Sequence, residues 1–323
     1  MDVLSEVLRS VRLSGALFFE VHASPPWVAA TPSAAEIAKS VMPEAQLVLP
    51  FHMVLSGSCF AEIVDGSEAA VGLEEGDIVV FTRGEEHVLA SEPGLREPLD
   101  HAIFERPLDR RLLTPFVLNT GNNGSETCHF VCGFLGCDSR PFNPLLDALP
   151  RLFRSRTSAG TRAWVSRLVE VAVQESEHES AGGETMLARA AEVMFVEVVR
   201  KYMADLPDDA TSWLLALRDK PVGLALRLIH SRPTYPWSIE TLAREVGMSR
   251  ARFADRFARL VGDSPMNYLS RWRMQLAARF LEAAGVSVAQ AAAEVGYDSE
   301  AAFQRAFKRF VGMPPGAWRK SRQ

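Results

Sequence analysis

Three of the four cysteines lie within a ten-residue segment, a density that could support redox or zinc chemistry. In a regular strand Cys128 and Cys132 share a face, but their Cα atoms are about 13 Å apart. A disulfide needs Cα atoms within about 7 Å of each other. Local pairing, with or without Cys137, therefore needs a bulge or turn, which Gly133 and Gly136 could supply. We expect these cysteines to be buried small hydrophobic residues and retain all three as redox candidates.

A second set of residues could read the edges of nucleic-acid bases. Arginine can form two hydrogen bonds with guanine, and glutamine can form two with adenine. The helix predicted after Ser299 places Arg305 and Lys308 opposite its apolar face, with Gln304 nearby. Ala301 is small enough to let that helix approach the bases. Each exposed arginine could equally contact a phosphate, which positions a protein without reading sequence.

These residues belong to an internal repeat, which is evidence of a duplicated unit. Residues 238–247 align with residues 287–296 at an offset of 49, and later positions align at an offset of 50. Each unit is predicted to be a helix, a short glycine turn and a second helix, the helix-turn-helix pattern. The predicted N-caps are Ser238, Ser287, Ser249 and Ser299, and the predicted left-handed turn residues are Gly247 and Gly296.

One longer helix is predicted to join the two units. It begins at Ser264 and Pro265, a cap followed by proline at the first helical position, and it runs to about Ala283. Its predicted core stripe comprises Leu269, Trp272, Leu276 and Phe280. The second helices of the two units have predicted buried stripes comprising Phe253, Phe257 and Leu260, and Phe303, Phe307 and Phe310.

Charge is distributed unevenly along the 323-residue chain, whose formal net charge is −5. Residues 213–323 contain 18 Lys and Arg against 9 Asp and Glu. The remaining 212 residues contain 17 basic and 31 acidic residues. A basic third joined to an acidic two-thirds indicates one part that meets a polyanion and one that does not.

The acidic part divides into a β-rich segment and a helical segment. Residues 15–140 contain short apolar runs broken by Gly, Pro, Asn and Asp, which suits a sandwich or small barrel. From about residue 160 the apolar period changes to 3.6, and residues 180–183 separate two predicted helices. The wide apolar arc of the second helix could pack on the first domain or carry a dimer seam. Residues 206–210 form the best candidate linker.

Composition excludes several classes of protein. Apolar residues make up 47% and charged residues 23% of the chain, which is typical of a globular protein rather than a disordered one. The sequence shows no convincing membrane span, signal peptide, nucleotide-binding fingerprint or nucleophile elbow. We therefore expect a cytoplasmic protein with reduced thiols and no catalytic residue.

Residues 220–320 resemble the AraC/XylS family of transcriptional regulators. The resemblance rests on LAREVGMS (242–249), VGDSPMNYL (261–269) and EVGYDSEAAFQRAFKRFVGMPPGAWR (294–319). It implies two helix-turn-helix units whose second helices enter the major groove of promoter DNA. Asp255 stands where the family often has a DNA-contacting Arg, so readout by the first unit is less secure. The residues assigned to DNA binding are Ser249, Arg250, Ala251, Arg252, Asp255, Arg256, Ser299, Glu300, Ala301, Gln304, Arg305 and Lys308.

The N-terminal part resembles the cupin-type sensor domain found in one branch of that family. GDIVVFTRGEEH (76–87) is similar to the second cupin motif, with Thr82 where the motif often has Pro. Metal-dependent cupins use a His-x-His pair, a Glu and a later His. His87 fits the later position and Glu62 is a conceivable third ligand, but His52 has no second histidine two residues on. We assign His52, Glu62 and His87 to effector binding, with no metal and no cofactor.

The expected fold class is multidomain α+β: a β-rich cupin-like barrel, a helical hairpin linker and an all-α domain with two helix-turn-helix units. The expected boundaries are 1–150, 151–205 and 213–323. The expected function is effector-controlled transcription regulation, more often activation than repression, by a homodimer. Its expected partners are promoter DNA, RNA polymerase and a small-molecule effector, with no membrane. A thiol-redox or metal-responsive regulator is the alternative, followed by a cupin enzyme.

Overall fold

The structure, a computed structural model, describes residues 2–104, 116–121, 125, 127–156, 160, 163–164, 167, 171, 183–207, 210–283 and 285–322. The chain forms two compact units that do not follow chain order. We call Leu13–Cys137 with Leu149–Asp205 the barrel unit. We call Met1–Arg12, Asp138–Ala148 and Leu206–Gln323 together the helical unit.

The barrel unit is built on one nine-stranded sheet that curves into a nearly closed barrel. Its strands are β1 (Ser14–Ser24), β2 (Val28–Thr31), β3 (Leu47–Ile63), β4 (Val71–Glu74), β5 (Asp77–Phe81), β6 (His87–Ala90), β7 (Phe116–Gly121), β8 (Cys128–Cys137) and β9 (Leu152–Arg156). The hydrogen-bonded path runs β2-β6-β3-β8-β1-β7. The expected cupin-like barrel is therefore confirmed.

The long strand β3 organises this barrel. It pairs antiparallel with β8 along most of its length, with β5 near its start and with β4 and β6 near its end. Alternate residues of the strands face inward, and aromatic residues such as Phe81, Phe130 and Phe134 join one apolar core. Helix α2 (Ala34–Val41) contributes Ile37 to the same core.

The segment after residue 150 departs from the predicted helical hairpin. Leu152–Arg156 is strand β9, paired antiparallel with β5, so the predicted helical segment does not begin at residue 151. Most of the first predicted helix lies outside the described residues. The second is helix α4 (Gly183–Asp205), which buries Met194, Phe195 and Val198.

The helical unit contains ten described helices. With chain-order labels that count α2 and α4, they are α1 (Val3–Ser10), α3 (Pro144–Ala148), α5 (Trp213–Arg218), α6 (Lys220–Ser231), α7 (Ile239–Glu245), α8 (Arg250–Val261), α9 (Pro265–Glu282), α10 (Val288–Glu294), α11 (Glu300–Val311) and α12 (Pro315–Lys320). Helices α7 and α8 form the first helix-turn-helix unit, α10 and α11 form the second, and α9 joins them. The all-α domain with two such units is therefore confirmed.

The ends of these helices follow the predicted local chemistry with one exception. Ser238 and Ser287 form capping boxes, and Ser299 accepts from the backbone of Ala302. Gly247 and Gly296 adopt φ of 69° and 78°, the left-handed region that favours glycine. The Ser249 side chain makes no capping hydrogen bond, which corrects the predicted cap of α8.

Packing on helix α9 is wider than its predicted stripe. Leu269 and Trp272 are buried as predicted, whereas Phe280 is 37% exposed. The buried face instead continues through Gln275, Ala278 and Leu281. The reason is that α9 is covered on more than one side, because segments from the N-terminal part of the chain also contact it.

Two such segments flank the barrel strands in sequence but belong to the helical unit. Helix α1 contacts α6 and α9, and α3 contacts α5. The side-chain amide of Gln275, which is 1% exposed, accepts from the backbone N–H of Phe142 at 3.0 Å and donates to the carbonyl of Ser10 at 3.2 Å. Within the described part of the chain, no helix is both long and apolar enough to cross a membrane.

Candidate functional sites

Helices α8 and α11 present matching polar faces. Both are anchored by two fully buried phenylalanines, Phe253 with Phe257 and Phe303 with Phe307. The predicted third members of these stripes, Leu260 and Phe310, are only half-buried. Of the twelve residues predicted to bind DNA, those that are exposed are Ser249, Arg250, Ala251, Arg252, Asp255, Ser299, Glu300, Ala301, Gln304, Arg305 and Lys308.

The twelfth, Arg256, is half-buried and forms an ion pair with Asp219 of the helical unit. Its guanidinium Nε lies 3.1 Å from Oδ2 of Asp219, and its Nη2 contacts the same oxygen. Asp219 also caps helix α6 by accepting from the backbone N–H of Val222 at 3.0 Å. Burial opposes ionisation of Asp219, but the hydrogen bonds from Arg256 and Val222 and the charges of nearby arginines together outweigh it, so the pKa is lowered. Arg256 thus joins α8 to α6 rather than standing with the exposed residues.

The exposed residues differ in their local partners. Arg250 Nε lies 3.1 Å from Glu240, and Gln304 donates to Glu300 at 2.7 Å within α11. Among the described residues, none forms an ion pair with Arg252, Arg305 or Lys308. These three cations are therefore available to an anionic partner without breaking an internal ion pair.

The barrel unit contains a partly open cavity of about 240 Å³. Its lining includes the polar residues Thr31, Asn119 and Thr120 and the acidic residues Glu97 and Asp100. The rest of the described lining is mainly apolar and aromatic: Phe19, Val21, Val28, Ala29, Ala30, Pro98, Phe104, Leu118, Cys132 and Phe134, with His52. A small cavity with an apolar wall and a few polar groups is a common form of ligand site.

A series of buried hydrogen bonds begins at two residues of the cavity wall, Cys132 and His52. His52 Nδ1 lies 2.8 Å from the sulfur of Cys132, and its Nε2 lies 2.7 Å from Nε2 of His87. His87 Nδ1 lies 2.7 Å from the carbonyl oxygen of Glu85. Both histidines are at most 2% exposed.

The tautomers of His87 and His52 follow from the carbonyl oxygen of Glu85, which can only accept a hydrogen bond. His87 must donate from Nδ1, and burial lowers its pKa to about 4, so that its Nε2 is an unprotonated acceptor near neutral pH. His52 then donates from Nε2 and accepts at Nδ1 from the Cys132 thiol. Burial and the nearby His87 lower the pKa of His52, and burial raises the pKa of Cys132, in keeping with this assignment.

Glu62 does not join these histidines. Its carboxylate accepts from the backbone N–H of Gly94 at 2.6 Å and from Arg96 at 2.8 Å. The ring nitrogens of His52 and His87 are engaged with each other and with Cys132 and Glu85. The three residues predicted to bind effector therefore separate: His52 lines the cavity, His87 supports it, and Glu62 holds the 94–96 turn. They do not form the ligand set of a metal-dependent cupin.

The cysteines are small buried residues, as their sequence context suggested. Cys59, Cys128, Cys132 and Cys137 all carry free thiols, and each is at most 9% exposed. A hydrogen bond with Cys128 and burial raise the pKa of Cys59. Cys59 reaches Cys128 through the pairing of β3 with β8, a tertiary contact that the spacing of the three clustered cysteines cannot reveal.

Comparison with known proteins identifies a family for each part of this architecture. A family described as Cupin matches residues 2–204, and a family described as Helix-turn-helix domain matches residues 242–321. The AraC-like transcription regulator of Streptomyces lividans is 31% identical over 323 residues, covering 99% of this chain and 98% of that protein. The HTH-type transcriptional regulator AlkR of Acinetobacter baylyi is 28% identical, covering 99% of each chain.

A solved structure resembles the C-terminal part. The DNA-binding domain of the global transcriptional factor AdpA, in complex with a target DNA, is 31% identical over 32% of this chain and 92% of that chain, with a TM-score of 0.30. The matches to sequence relatives cover nearly the whole chain. The protein belongs to the AraC family of transcription regulators with an N-terminal cupin domain, and it is a DNA-binding regulator of transcription.

Proposed function

We propose that the protein activates transcription from the cytoplasm as an effector-controlled homodimer, contacting promoter DNA through α8 and α11 and engaging RNA polymerase. The observation that carries the DNA part of this proposal is the matched pair of exposed helix faces. Each begins with a serine and carries a small alanine two residues later, at Ala251 and Ala301. Such a face allows close approach of the helix to base edges in the major groove.

The polar residues on these two helix faces suit different contacts, some with bases and some with phosphates. Gln304 and Arg305 lie on the exposed face of the first half of α11, the part of a recognition helix that contacts bases. Lys308 follows one turn later and suits a phosphate contact. In the first turn of α8, Arg250 and Arg252 carry positive charge, whereas Asp255 disfavours a phosphate and suits the amino group of cytosine. The second unit therefore supplies the stronger readout.

The cavity of the barrel unit is the proposed effector site. Phe19 and Val21 of β1 and Cys132 and Phe134 of β8 line it. Both strands lead directly into segments of the helical unit, since β1 begins at Ser14 and β8 ends at Cys137. A ligand that changes the positions of these strands also acts on the segments that they enter.

Those segments are tied together and to the connecting helix. Arg12 donates to Asp138 from Nε at 2.7 Å and from Nη2 at 3.1 Å, and its Nη1 lies 2.9 Å from Glu282 at the end of α9. Asp138 donates its backbone N–H to the carbonyl of Val11 at 2.7 Å. We infer that effector binding shifts the population of arrangements of α9, and with it the spacing of the two reading helices.

The dimer proposal rests on the outer face of α4. Met186 and Val193 are seven residues apart, which places them on one helix face, and they are 39% and 54% exposed. A second copy that packs on this face would remove both from water. A twofold dimer then presents four reading helices to two half-sites.

The test combines promoter binding with an effector screen. The full-length protein selects its site from a random duplex library, and affinity is measured by fluorescence anisotropy with and without candidate small molecules. We expect a preferred site, and a ligand whose effect on DNA affinity is lost in Ala30→Trp, which fills the cavity, but kept in Ala69→Trp, at an exposed residue that does not line the cavity. Failure to enrich any site would overturn DNA reading, whereas a ligand effect that survives cavity filling would overturn the effector site alone.

A further inference from the structure

A cluster of metal-ligating side chains lies apart from the cavity and from the His52–His87 pair. Glu20, His22 and His129 bring one carboxylate oxygen and two imidazole nitrogens within 4.8 Å of one another. The two histidines are paired across strands β1 and β8, and Glu20 is two residues from His22 on β1. Side chains two residues apart on a strand share a face, as do directly paired residues on neighbouring strands.

The face is the outer one. The alternate residues Phe19 and Val21 of β1, and Phe130 and Cys132 of β8, belong to the apolar core inside the barrel. Glu20, His22 and His129 therefore point away from that core. Their side chains are 11%, 29% and 21% exposed, so an ion can reach them from solvent while most of its surroundings are protein.

The arrangement of the three groups converges on one carboxylate oxygen. Nε2 of His129 lies 2.8 Å from Oε1 of Glu20, and Nε2 of His22 lies 3.6 Å from the same oxygen. The imidazole rings are stacked, with centroids 4.3 Å apart and an interplanar angle of 13°. Both rings thus present Nε2 to the same carboxylate oxygen.

These separations fit a zinc-sized ion. With bonds of about 2.0–2.1 Å in a tetrahedral site, neighbouring ligand atoms are about 3.3 Å apart. The observed nitrogen–oxygen separations of 2.8 and 3.6 Å bracket that value. Metal binding would turn the two stacked rings away from parallel, so that both Nε2 lone pairs point at the ion. Two imidazoles and one carboxylate suit zinc and its first-row neighbours rather than magnesium or calcium, which prefer oxygen ligands.

We propose that Glu20, His22 and His129 form a binding site for a divalent transition-metal ion, with zinc as the expected occupant and water completing its coordination. A bound ion would link β1 to β8 on the face opposite the cavity. It would thereby stiffen the wall that carries Phe19, Val21 and Cys132. The site is independent of the proposed effector site, since none of its three ligands lines the cavity.

Zinc titration of the full-length protein tests the site. After chelator treatment and dialysis, binding of Zn²⁺ is measured by isothermal titration calorimetry, and stoichiometry by native mass spectrometry. We expect one tightly bound ion in the unaltered protein, and an affinity at least about tenfold weaker in His22→Ala, His129→Ala and Glu20→Gln. Zn²⁺ should also raise the Tm of the unaltered protein, reversibly with chelator, because it binds the folded state.

Two control variants separate this site from other donors. His101→Ala removes an exposed histidine of the same unit, whose side chain is 53% exposed, and should leave zinc affinity unchanged. Cys132→Ser alters the hydrogen bond to His52 and should also leave zinc affinity unchanged. Absence of zinc binding, or binding that survives both histidine substitutions at full affinity, would overturn the proposal. Equal Tm values of all variants without zinc would show that the substitutions preserve folding.

Discussion

His52 and His87 are joined by a hydrogen bond of 2.7 Å between their Nε2 atoms, entirely inside the barrel. The carbonyl of Glu85 fixes the direction of this bond, because it forces His87 to donate from its other nitrogen. The same assignment makes the thiol of Cys132 the donor to Nδ1 of His52, and Cys132 lines the cavity. His87, which does not line the cavity, thus fixes the tautomer of His52, which does.

Acidification should destabilise the barrel unit. The pKa of His87 is lowered by burial from 6.5 to about 4, so the unfolded chain takes up its proton first as pH falls. The stability due to neutral His87 is complete above about pH 6.5 and decreases towards pH 4, at up to about 1.4 kcal/mol per pH unit. The free energy of unfolding in urea should therefore fall by about 2 kcal/mol or more between about pH 7 and about pH 5.

His52, whose pKa is also lowered, acts in the same direction. Buried His230, with a pKa lowered to about 3, does so in the helical unit. The barrel contribution is isolated with His87→Gln, which should flatten the pH dependence, and with His101→Ala, which should not. A pH profile identical in all three proteins would contradict the buried neutral histidine.

Substitution of Arg305 should weaken specific DNA binding. Arg305→Ala removes an exposed cation in the middle of α11 and should cost about 1–3 kcal/mol on the selected site, the cost of a lost base contact. The matched control is Arg154→Ala, which removes an exposed arginine of β9 in the barrel unit. Equal anisotropy curves for the two variants would remove Arg305 from the interface.

Substitution of Arg256 should act on stability instead. Arg256→Ala breaks the link to Asp219, but the side chain is 35% exposed, so solvent screening limits the loss to about 1 kcal/mol. Asp219→Ala loses the cap of α6 as well and should cost about 2 kcal/mol. Both are measured by denaturant unfolding, and neither should change which DNA sequence is preferred. A changed base preference in Arg256→Ala would instead make Arg256 a reading residue.

Removal of the Gln275 amide should destabilise the helical unit and uncouple it from effector. Gln275→Leu leaves a backbone donor of Phe142 and an acceptor of Ser10 without their partner, at about 1–3 kcal/mol for each buried group. Gln290→Leu, which loses only an exposed helix cap, should cost about 1 kcal/mol. Effector response of DNA affinity is then compared in the two variants. An unchanged response in a folded Gln275→Leu protein would exclude this contact from the coupling route.

The thiols should be slow to react in the folded protein. Burial raises the pKa of Cys132, and the thiolate is the reactive form. We expect a thiol reagent to label the four cysteines mainly after unfolding, and mild peroxide to leave DNA affinity unchanged. Rapid labelling of one cysteine, with a change of DNA affinity that Cys132→Ser abolishes, would favour the thiol-redox alternative.

The helix-turn-helix repeat could be predicted from the sequence because its signals are local. Serine caps, turn glycines and a 3.6-residue apolar period act within one or two helical turns. The roles of Ser238, Gly247 and Phe253 can therefore be predicted from their neighbours in sequence. The prediction for Phe280 was wrong, because α9 buries another face. The pairing of Arg256 with Asp219 joins residues 37 positions apart, so it depends on tertiary packing.

The class of protein, the two helix-turn-helix units and the β-rich N-terminal domain could therefore be inferred from the residues alone. Which polar residues contact one another depends on the folded structure. His22 and His129 become neighbours through the antiparallel register of β1 and β8, and Gln275 meets Ser10 across 265 positions of chain. Strand register and long-range packing depend on the whole core rather than on any short segment, so residue types and spacing along the chain do not reveal them.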